Sequence, residues 1–299
     1  MCNGSIMDKL VSFALPLMLS GILQLMFNAV DIIVVGRFSG SEALAAVGST
    51  TALINVFTNL FIGISLGANV LAARFFAAGR KEEMSETVHT SITLALISGI
   101  LMAFVGLVFS KGALELMGTP EDVIGLSTLY MRIYFMGMPF FMLYNYGAAI
   151  LRAVGDTKRP LYFLIIAGVI NAGLNMVLVI VFGLGVAGVG IATVFSQMVS
   201  CVLVLTCLCR TEGSYKLSFS KLSMKGYYLK QIFQVGIPAG IQSTVINFSN
   251  ALLQSSVNSF GSTAMAGYTA ANNILGFLYV SINSVTQACM SFTSQNFGV

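Results

Sequence analysis

The sequence predicts an all-α, polytopic membrane protein. Of its 299 residues 57% are hydrophobic and 9% are charged, and the mean hydropathy is +0.89. A soluble domain carries roughly 25% charged residues, so water is not the main solvent of this chain. Because a bilayer core leaves no backbone polar group unpaired without a large penalty, long apolar stretches in it must be helical.

Eight stretches are long enough to cross a membrane, which takes about 20 consecutive apolar residues per helix. They are residues 10–35, 47–73, 88–109, 127–150, 161–182, 189–208, 232–257 and 268–292. The first stretch is too long for the apolar region of a cleaved signal peptide, and a second one follows closely, so we interpret it as a retained first helix.

The distribution of Lys and Arg predicts the orientation, because cytoplasmic loops carry the excess of these residues. Twelve fall on one side of the predicted spans: Lys9, Arg74, Arg80, Lys81, Arg152, Lys158, Arg159, Arg210, Lys216, Lys221, Lys225 and Lys230. Three fall on the other: Arg37, Lys111 and Arg132. We therefore expect a multi-pass protein of the cell (inner, plasma) membrane with both ends of this chain in the cytoplasm.

An internal repeat relates helices seven and eight to helices one and two. At an offset of 222 residues, Pro16 matches Pro238 and Asn28 matches Asn250, and in the next helix Phe76 matches Phe297 at an offset of 221. Six helices separate the two starts, so both copies enter the membrane in the same direction, as in transporters with parallel repeats. Coincidental similarity of apolar helix pairs is the alternative.

The repeat defines three segments of the chain. Residues 1–209 form the first six-helix lobe, 210–230 a basic cytoplasmic linker, and 231–299 the first two helices of a second lobe. A complete second copy would bring the protein to roughly 440 residues, so we expect the chain to be partial.

Several motifs resemble those of the multidrug and toxic compound extrusion (MATE) transporters. They are Asn28-Ala29-Val30-Asp31 leading to Val35-Gly36-Arg37, the run LRAVGDTKRP at 151–160, Gly185-Val186-Ala187-Gly188 through Ala192-Thr193, and Gln295-Asn296-Phe297-Gly298. The resemblance covers essentially the whole chain. It implies twelve helices in two six-helix lobes around a central cavity, and export of cationic or amphiphilic compounds against a proton or sodium gradient.

Two positions depart from the family pattern. Some members carry Glu where this chain has Ile246 and Asp where it has Asn175, so coupling schemes that need those carboxylates do not transfer. The LRAVGDTKRP run combines turn residues with a proline suited to the first turn of a helix, which favours a structural hairpin; a gating role is the alternative.

Asp31 is the acidic residue that lies within a long apolar helix. A charged carboxylate there costs about 2.5–3.5 kcal/mol at mid-bilayer, which usually signals a function. Gln24 and Asn28 follow the same helical stripe, and we predict that they line a substrate cavity. The alternative places Asp31 near the hydrated outer surface and makes the amides interhelical contacts.

Further amides extend both predicted sites. Asn171 and Asn175 share a face of helix five at i and i+4. The resemblance places both of them, with Asn145 of helix four, near Asp31, and we predict that these four residues bind the coupling ion, either sodium held by their oxygens or a proton on the carboxylate. On helix seven, Asn247, Asn250 and Gln254 form a second stripe that we assign to the substrate cavity; packing is the alternative there too.

Other function classes find little support in the sequence. The five cysteines show no CxxC or Cys/His spacing, and no Walker A or G-x-S-x-G motif is present, so we expect no enzyme, no metal site and no cofactor beyond the coupling ion. Basic residues lie in loops, so the expected partners are a small-molecule substrate and membrane lipid rather than nucleic acid. A lipid-linked saccharide flippase and a non-transporting fragment remain the alternatives.

Overall fold

A computed structural model describes the backbone of residues 5–258 and 262–298. Side chains within it are described except at 52, 247, 248, 250–252, 254–258, 262–270, 272–274 and 298. Helices cover all eight predicted spans: α1 (Ile6–Phe38), α2 (Ser41–Ala77), α3 (Lys81–Leu116), α4 (Glu121–Met136), α5 (Met138–Ala153), α6 (Lys158–Asn175), α7 (Gly185–Arg210), α8 (Gly226–Asn258) and α9 (Ser262–Gly298). The predicted helical fold class is confirmed.

Five of the described helical segments are long and apolar enough to cross a membrane. They are α1, α2, α3, α7, and α6 together with the π-helical segment Met176–Val181 that continues it. The full number of eight spans stays a prediction.

The fourth predicted span is not one continuous helix. It divides at Gly137 into α4 and α5, and Pro139 lies in the first turn of α5, where its missing N–H is not needed. Gly99 of α3 lies against this break, and a Cβ there would lie 2.5 Å from the Cα of Pro139. The break therefore lets α3 approach the backbone closely. Gly137 and Pro139 signal such a break in the sequence, but the stretch at 127–150 was interpreted as one span.

The LRAVGDTKRP run forms the tight turn between α5 and α6. Gly155 adopts a φ of 94°, which a residue with a Cβ rarely accepts, and its N–H donates to the carbonyl of Arg152 at 2.9 Å. The Asp156 carboxylate accepts from the backbone N–H of Arg159 at 3.1 Å and pairs with its side chain at 3.2 Å. These contacts fit the predicted structural hairpin.

Helices α8 and α9 pack against α1 and α2, and we call this contact the seam. The pairing is reciprocal, α2 with α8 and α1 with α9, as expected for a repeat in which α8 corresponds to α1 and α9 to α2. α1 and α8 each contain an internal proline, Pro16 or Pro238, at corresponding positions of the repeat. These correspondences support the duplication.

The α2–α8 part of the seam brings two G-x-x-x-G patterns face to face. Gly63 and Gly67 of α2 lie against Gly236 and Gly240 of α8, so closely that an added Cβ would meet backbone atoms of the opposite helix. Small residues at this spacing let two helix backbones touch, which favours helix association in lipid.

The linker between α7 and α8 is shorter than predicted and is held against α3. It covers residues 211–225, because α7 extends to Arg210 and α8 begins at Gly226, where a helix can start in water before it enters the bilayer. His89 Nδ1 donates to the carbonyl of Ser85 at 2.6 Å, and Nε2 accepts from the N–H of Ser218 at 3.1 Å.

An ion pair attaches the end of the same linker to α3. Lys225 Nζ lies 2.8 Å from a carboxylate oxygen of Glu86, and this hydrogen bond raises the pKa of Lys225. Leu217 is buried among the core side chains. Together with His89, these contacts hold the basic linker against α3, at the end of the bundle that the charge distribution predicts to be cytoplasmic.

Candidate functional site

Asp31 lies inside the helix bundle rather than at its surface. Its side chain is 7% exposed, although α1 as a whole is largely exposed. Asn175 Nδ2 donates a hydrogen bond to one carboxylate oxygen, and Thr193 Oγ1 lies 3.5 Å from the other. Because α6 and α7 supply these donors, the carboxylate joins three helices; its depth in the membrane stays a prediction.

Asn175 hydrogen-bonds both Asp31 and Asn171, and we call these three side chains the polar centre. Its two amide hydrogens are both used, one by Asp31 and one by Asn171 Oδ1 at 3.2 Å, which is the helical pairing predicted for Asn171 and Asn175. Its Oδ1 is buried and has no hydrogen-bond partner among the described residues. Asn175 ends α6, and the chain continues as the π-helical segment, a wide turn that often occurs at functional sites.

A cavity of about 340 Å³ opens beside this centre. Of the predicted residues, its lining includes Gln24, Asn28, Asp31, Asn145 and Asn171. Asn175 lies behind the wall, fully buried. The Asn145 amide also donates to the carbonyl of Phe141 at 2.8 Å, within its own helix. The predicted residues on α1, α5 and α6 therefore line one common cavity.

The second predicted stripe cannot be placed in the same way. The side chains of Asn247, Asn250 and Gln254 lie outside the described residues. Their assignment to the substrate cavity stays a prediction.

The structure adds lining residues that the sequence reasoning missed. Along α7, Thr193, Ser196, Gln197 and Ser200 recur at helical spacing on one face, a stripe like the one on α1 that was recognised. α2 contributes Asn55, Thr58 and Asn59, and aromatic side chains come from Phe27, Tyr130, Tyr134, Phe141 and Tyr144. The lining as described contains one acid, Asp31, and no Lys or Arg.

Comparisons with known proteins agree with this arrangement. The family model MatE matches residues 16–177, more than half of the chain. The chain belongs to the MatE family. It is a multi-pass membrane protein, as the hydropathy predicted.

The chain is similar in sequence to multidrug resistance proteins and in structure to a solved transporter. The chain is 34% identical to "Probable multidrug resistance protein YoeA" of Bacillus subtilis, over 98% of this chain and 65% of that protein. It is 29% identical to YpnP of the same organism, over 99% and 66%. A solved structure described as an outward-facing multidrug resistance MATE family transporter superposes with a TM-score of 0.90 at 25% identity. That match covers 99% of this chain and 66% of the other. The chain thus spans about two thirds of the length of these relatives.

Proposed function

We propose that this chain is part of a secondary active antiporter that exports small cationic or amphiphilic compounds, driven by a proton or sodium gradient. The observation that carries the proposal is the single buried carboxylate, Asp31, in the wall of an otherwise uncharged cavity. A desolvated carboxylate attracts a cation strongly, because few water dipoles screen its charge. Cation binding then neutralises the cavity.

Competition for Asp31 supplies the coupling. A cationic substrate and the coupling ion both need the negative charge, so binding of one expels the other. Each unit charge that crosses the membrane contributes about 2.3 kcal/mol per 100 mV, which a gradient-driven exchange can use. The aromatic rings of Tyr130 and Tyr134, with centroids 6.2 Å apart, add a face on which an organic cation can rest.

The surrounding amides suit either coupling ion. In this structure the Asn175 amide donates a hydrogen bond to the Asp31 carboxylate. Rotation of the amide by half a turn would instead present Oδ1, which can accept from a protonated carboxyl group or bind a metal cation. Sodium would find oxygen ligands on Asp31, Asn171, Asn175 and Thr193, which are the hard ligands such a cation prefers. We infer that either a proton or a sodium ion can bind at this centre. From the distribution of Lys and Arg we also infer that both termini of the chain lie in the cytoplasm.

A binding experiment tests the assignment directly. The purified chain in lipid nanodiscs is titrated with tetraphenylphosphonium, a lipophilic cation, at several pH values and sodium concentrations. Asp31→Asn keeps the size and hydrogen bonding of the side chain and removes its charge. We expect binding at least about tenfold weaker, since truncating one partner of a buried charge pair costs about 2–5 kcal/mol.

The matched control is Asp122→Asn, which removes the same charge at the exposed start of α4 and should bind normally. In wild type, competition by acid would identify a proton as the coupling ion, and competition by sodium would identify sodium. If Asp31→Asn binds tetraphenylphosphonium with wild-type affinity and ion dependence, the site assignment fails.

The flippase alternative makes a different demand on the cavity. A lipid-linked saccharide carries a pyrophosphate, which needs cationic side chains. The cavity lining as described includes no Lys or Arg, so the antiporter accounts for the site better.

A further inference from the structure

A small polar cluster crosses the seam at the ends of α2, α5 and α9. Ser291 Oγ donates to Asn69 Oδ1 at 3.0 Å, and Asn69 Nδ2 donates to the carbonyl of Ala149 at 2.8 Å. One turn further along α9, Gln295 Nε2 donates to the carbonyl of Ala153 at 2.6 Å. The two contacts have the same four-residue spacing on α5 and α9.

The three polar side chains are almost completely buried: Asn69 is 3%, Ser291 2% and Gln295 3% exposed. Gln295 satisfies the carbonyl at the last residue of α5, a group that has no partner within its own helix. The end of a helix in the α1–α7 bundle is thus capped by a side chain of the α8–α9 pair.

This cluster lies on the cytoplasmic side of the cavity. Asn69 precedes Arg74, and Ala149 and Ala153 flank Arg152, both residues on the side with the Lys and Arg excess. The cavity lining on α2 ends at Ile62, and the glycine contacts at Gly63 and Gly67 come before Asn69. Along α2 the order is therefore cavity, seam, polar cluster, cytoplasm.

We propose that Asn69, Ser291 and Gln295 form a latch that closes the cytoplasmic side of the seam and opens when the cavity faces the cytoplasm. The latch deepens the proposed transport function and rests on it. Asn69 and Ser291 are 222 residues apart, one more than the offset of 221 that relates α2 to α9, so this contact joins nearly equivalent positions of the two copies of the repeat.

The energetics suit a contact that opens and closes. Interhelical hydrogen bonds in membrane proteins contribute about 0.6 kcal/mol on average, which thermal motion and ligand binding can overcome. Separation of these groups in a dry interface would leave buried polar atoms unpaired. Opening is therefore coupled to the entry of water, which can hydrate them from the cytoplasm.

The test measures access to the seam from the cytoplasmic side. Ala288 of α9 is buried against Phe13 and Leu17 of α1, about one turn from Ser291. In a background with the native cysteines changed to Ser, Ala288→Cys reports seam opening. Its rate of modification by a membrane-impermeant maleimide is measured on inside-out vesicles.

Loss of latch bonds should speed this modification. Gln295→Met keeps the side-chain volume and removes one bond, so we expect an increase of about threefold. Asn69→Leu removes one bond across the seam, to Ser291, and a second bond to Ala149 within the α1–α7 bundle, so its increase should also be about threefold. Ser291→Ala is a milder second variant, with an expected increase of about threefold, in case a larger change prevents folding.

Two controls separate a latch from general loosening. Asn296→Leu alters the neighbouring exposed amide, which donates to Phe292 within its own helix at 2.8 Å, and should leave the rate unchanged. Ala95→Cys reports the core of the bundle from α3, and its modification should not accelerate in the latch variants.

No change at Ala288→Cys in the latch variants, or an equal increase at Ala95→Cys, would overturn the proposal. The measurement needs no substrate. A failure of Asp31→Asn to weaken cation binding is therefore distinguishable from a failure of the latch.

Discussion

Replacement of Gly63 by Ala should weaken the packing of α8 on α2. A Cβ at this position would overlap the Cα and N of Gly240 and lie 3.1 Å from the carbonyl carbon of Ala239. Carbon atoms pack best at about 3.5–4.0 Å, and the obstacles here are backbone atoms that no rotamer change can move. The two helices must therefore separate by roughly 1 Å, and overpacking of this kind costs about 1–3 kcal/mol.

Gly48→Ala is the matched control for this experiment. Gly48 lies on the same helix with nothing within 4 Å of an added Cβ. Both substitutions gain the helix propensity of Ala over Gly, about 1 kcal/mol, so their difference isolates the overpacking. Gly240→Ala approaches the same contact from the other helix, where the Cβ would lie 2.7 Å from the carbonyl oxygen of Leu60.

The assay is the midpoint temperature for loss of the monodisperse species in detergent, read by size-exclusion chromatography after heating. With an unfolding entropy of about 2.1 cal/mol/K per residue, 1 kcal/mol shifts the midpoint of this 299-residue chain by about 1.6 °C, so Gly63→Ala should melt about 2–5 °C below Gly48→Ala. If the two variants melt within 1 °C of each other, the close glycine contact between α2 and α8 is wrong.

Three further predictions address the linker, the topology and the cation site. His89→Ala removes the acceptor that holds the linker, so trypsin should cleave the linker lysines faster in the purified protein, with cleavage elsewhere unchanged. A cysteine at Ser218 should react in intact cells only with membrane-permeant reagents and one at Ser41 also with impermeant reagents; the reverse pattern would invert the topology. Thr193→Val should weaken tetraphenylphosphonium binding less than Asp31→Asn does, because it removes a long hydrogen bond rather than the charge; equal losses would contradict this ranking.

The sequence anticipated the polar centre only in part. Helical spacing predicted that Asn171 and Asn175 share a face. The energetic cost of a charged carboxylate in the bilayer identified Asp31 as a functional candidate. Their closeness to one another was implied by the family resemblance, because no spacing rule relates α1 to α6. The same reasoning could have predicted Thr193 as a cavity residue, because the polar side chains on α7 repeat with the helical periodicity that was recognised on α1.

Contacts between distant helices set the limit of sequence reasoning here. The G-x-x-x-G pairs at Gly63 and Gly236 are visible in the sequence, but many glycines have this spacing in a chain with 30 of them. Which pairs touch depends on how the two copies of the repeat dock. The break at Gly137 was missed for another reason: hydropathy averaged over an apolar stretch takes no account of Gly137 and Pro139, although both residues signal the end of a helix.

Two of the helices that line the cavity, α1 and α2, also form the seam with α8 and α9. α1 carries Asn28 and Asp31 in its C-terminal half and Leu17, which packs near Ala288 of α9, in its N-terminal half. α2 carries cavity residues up to Ile62 and the seam glycines directly after them. Close packing transmits small displacements along such helices rather than absorbing them. A change in how Asp31 pairs with Asn175 therefore acts on helices whose other ends contact α8 and α9, which is the physical connection that the proposed exchange of a coupling ion for a substrate would require.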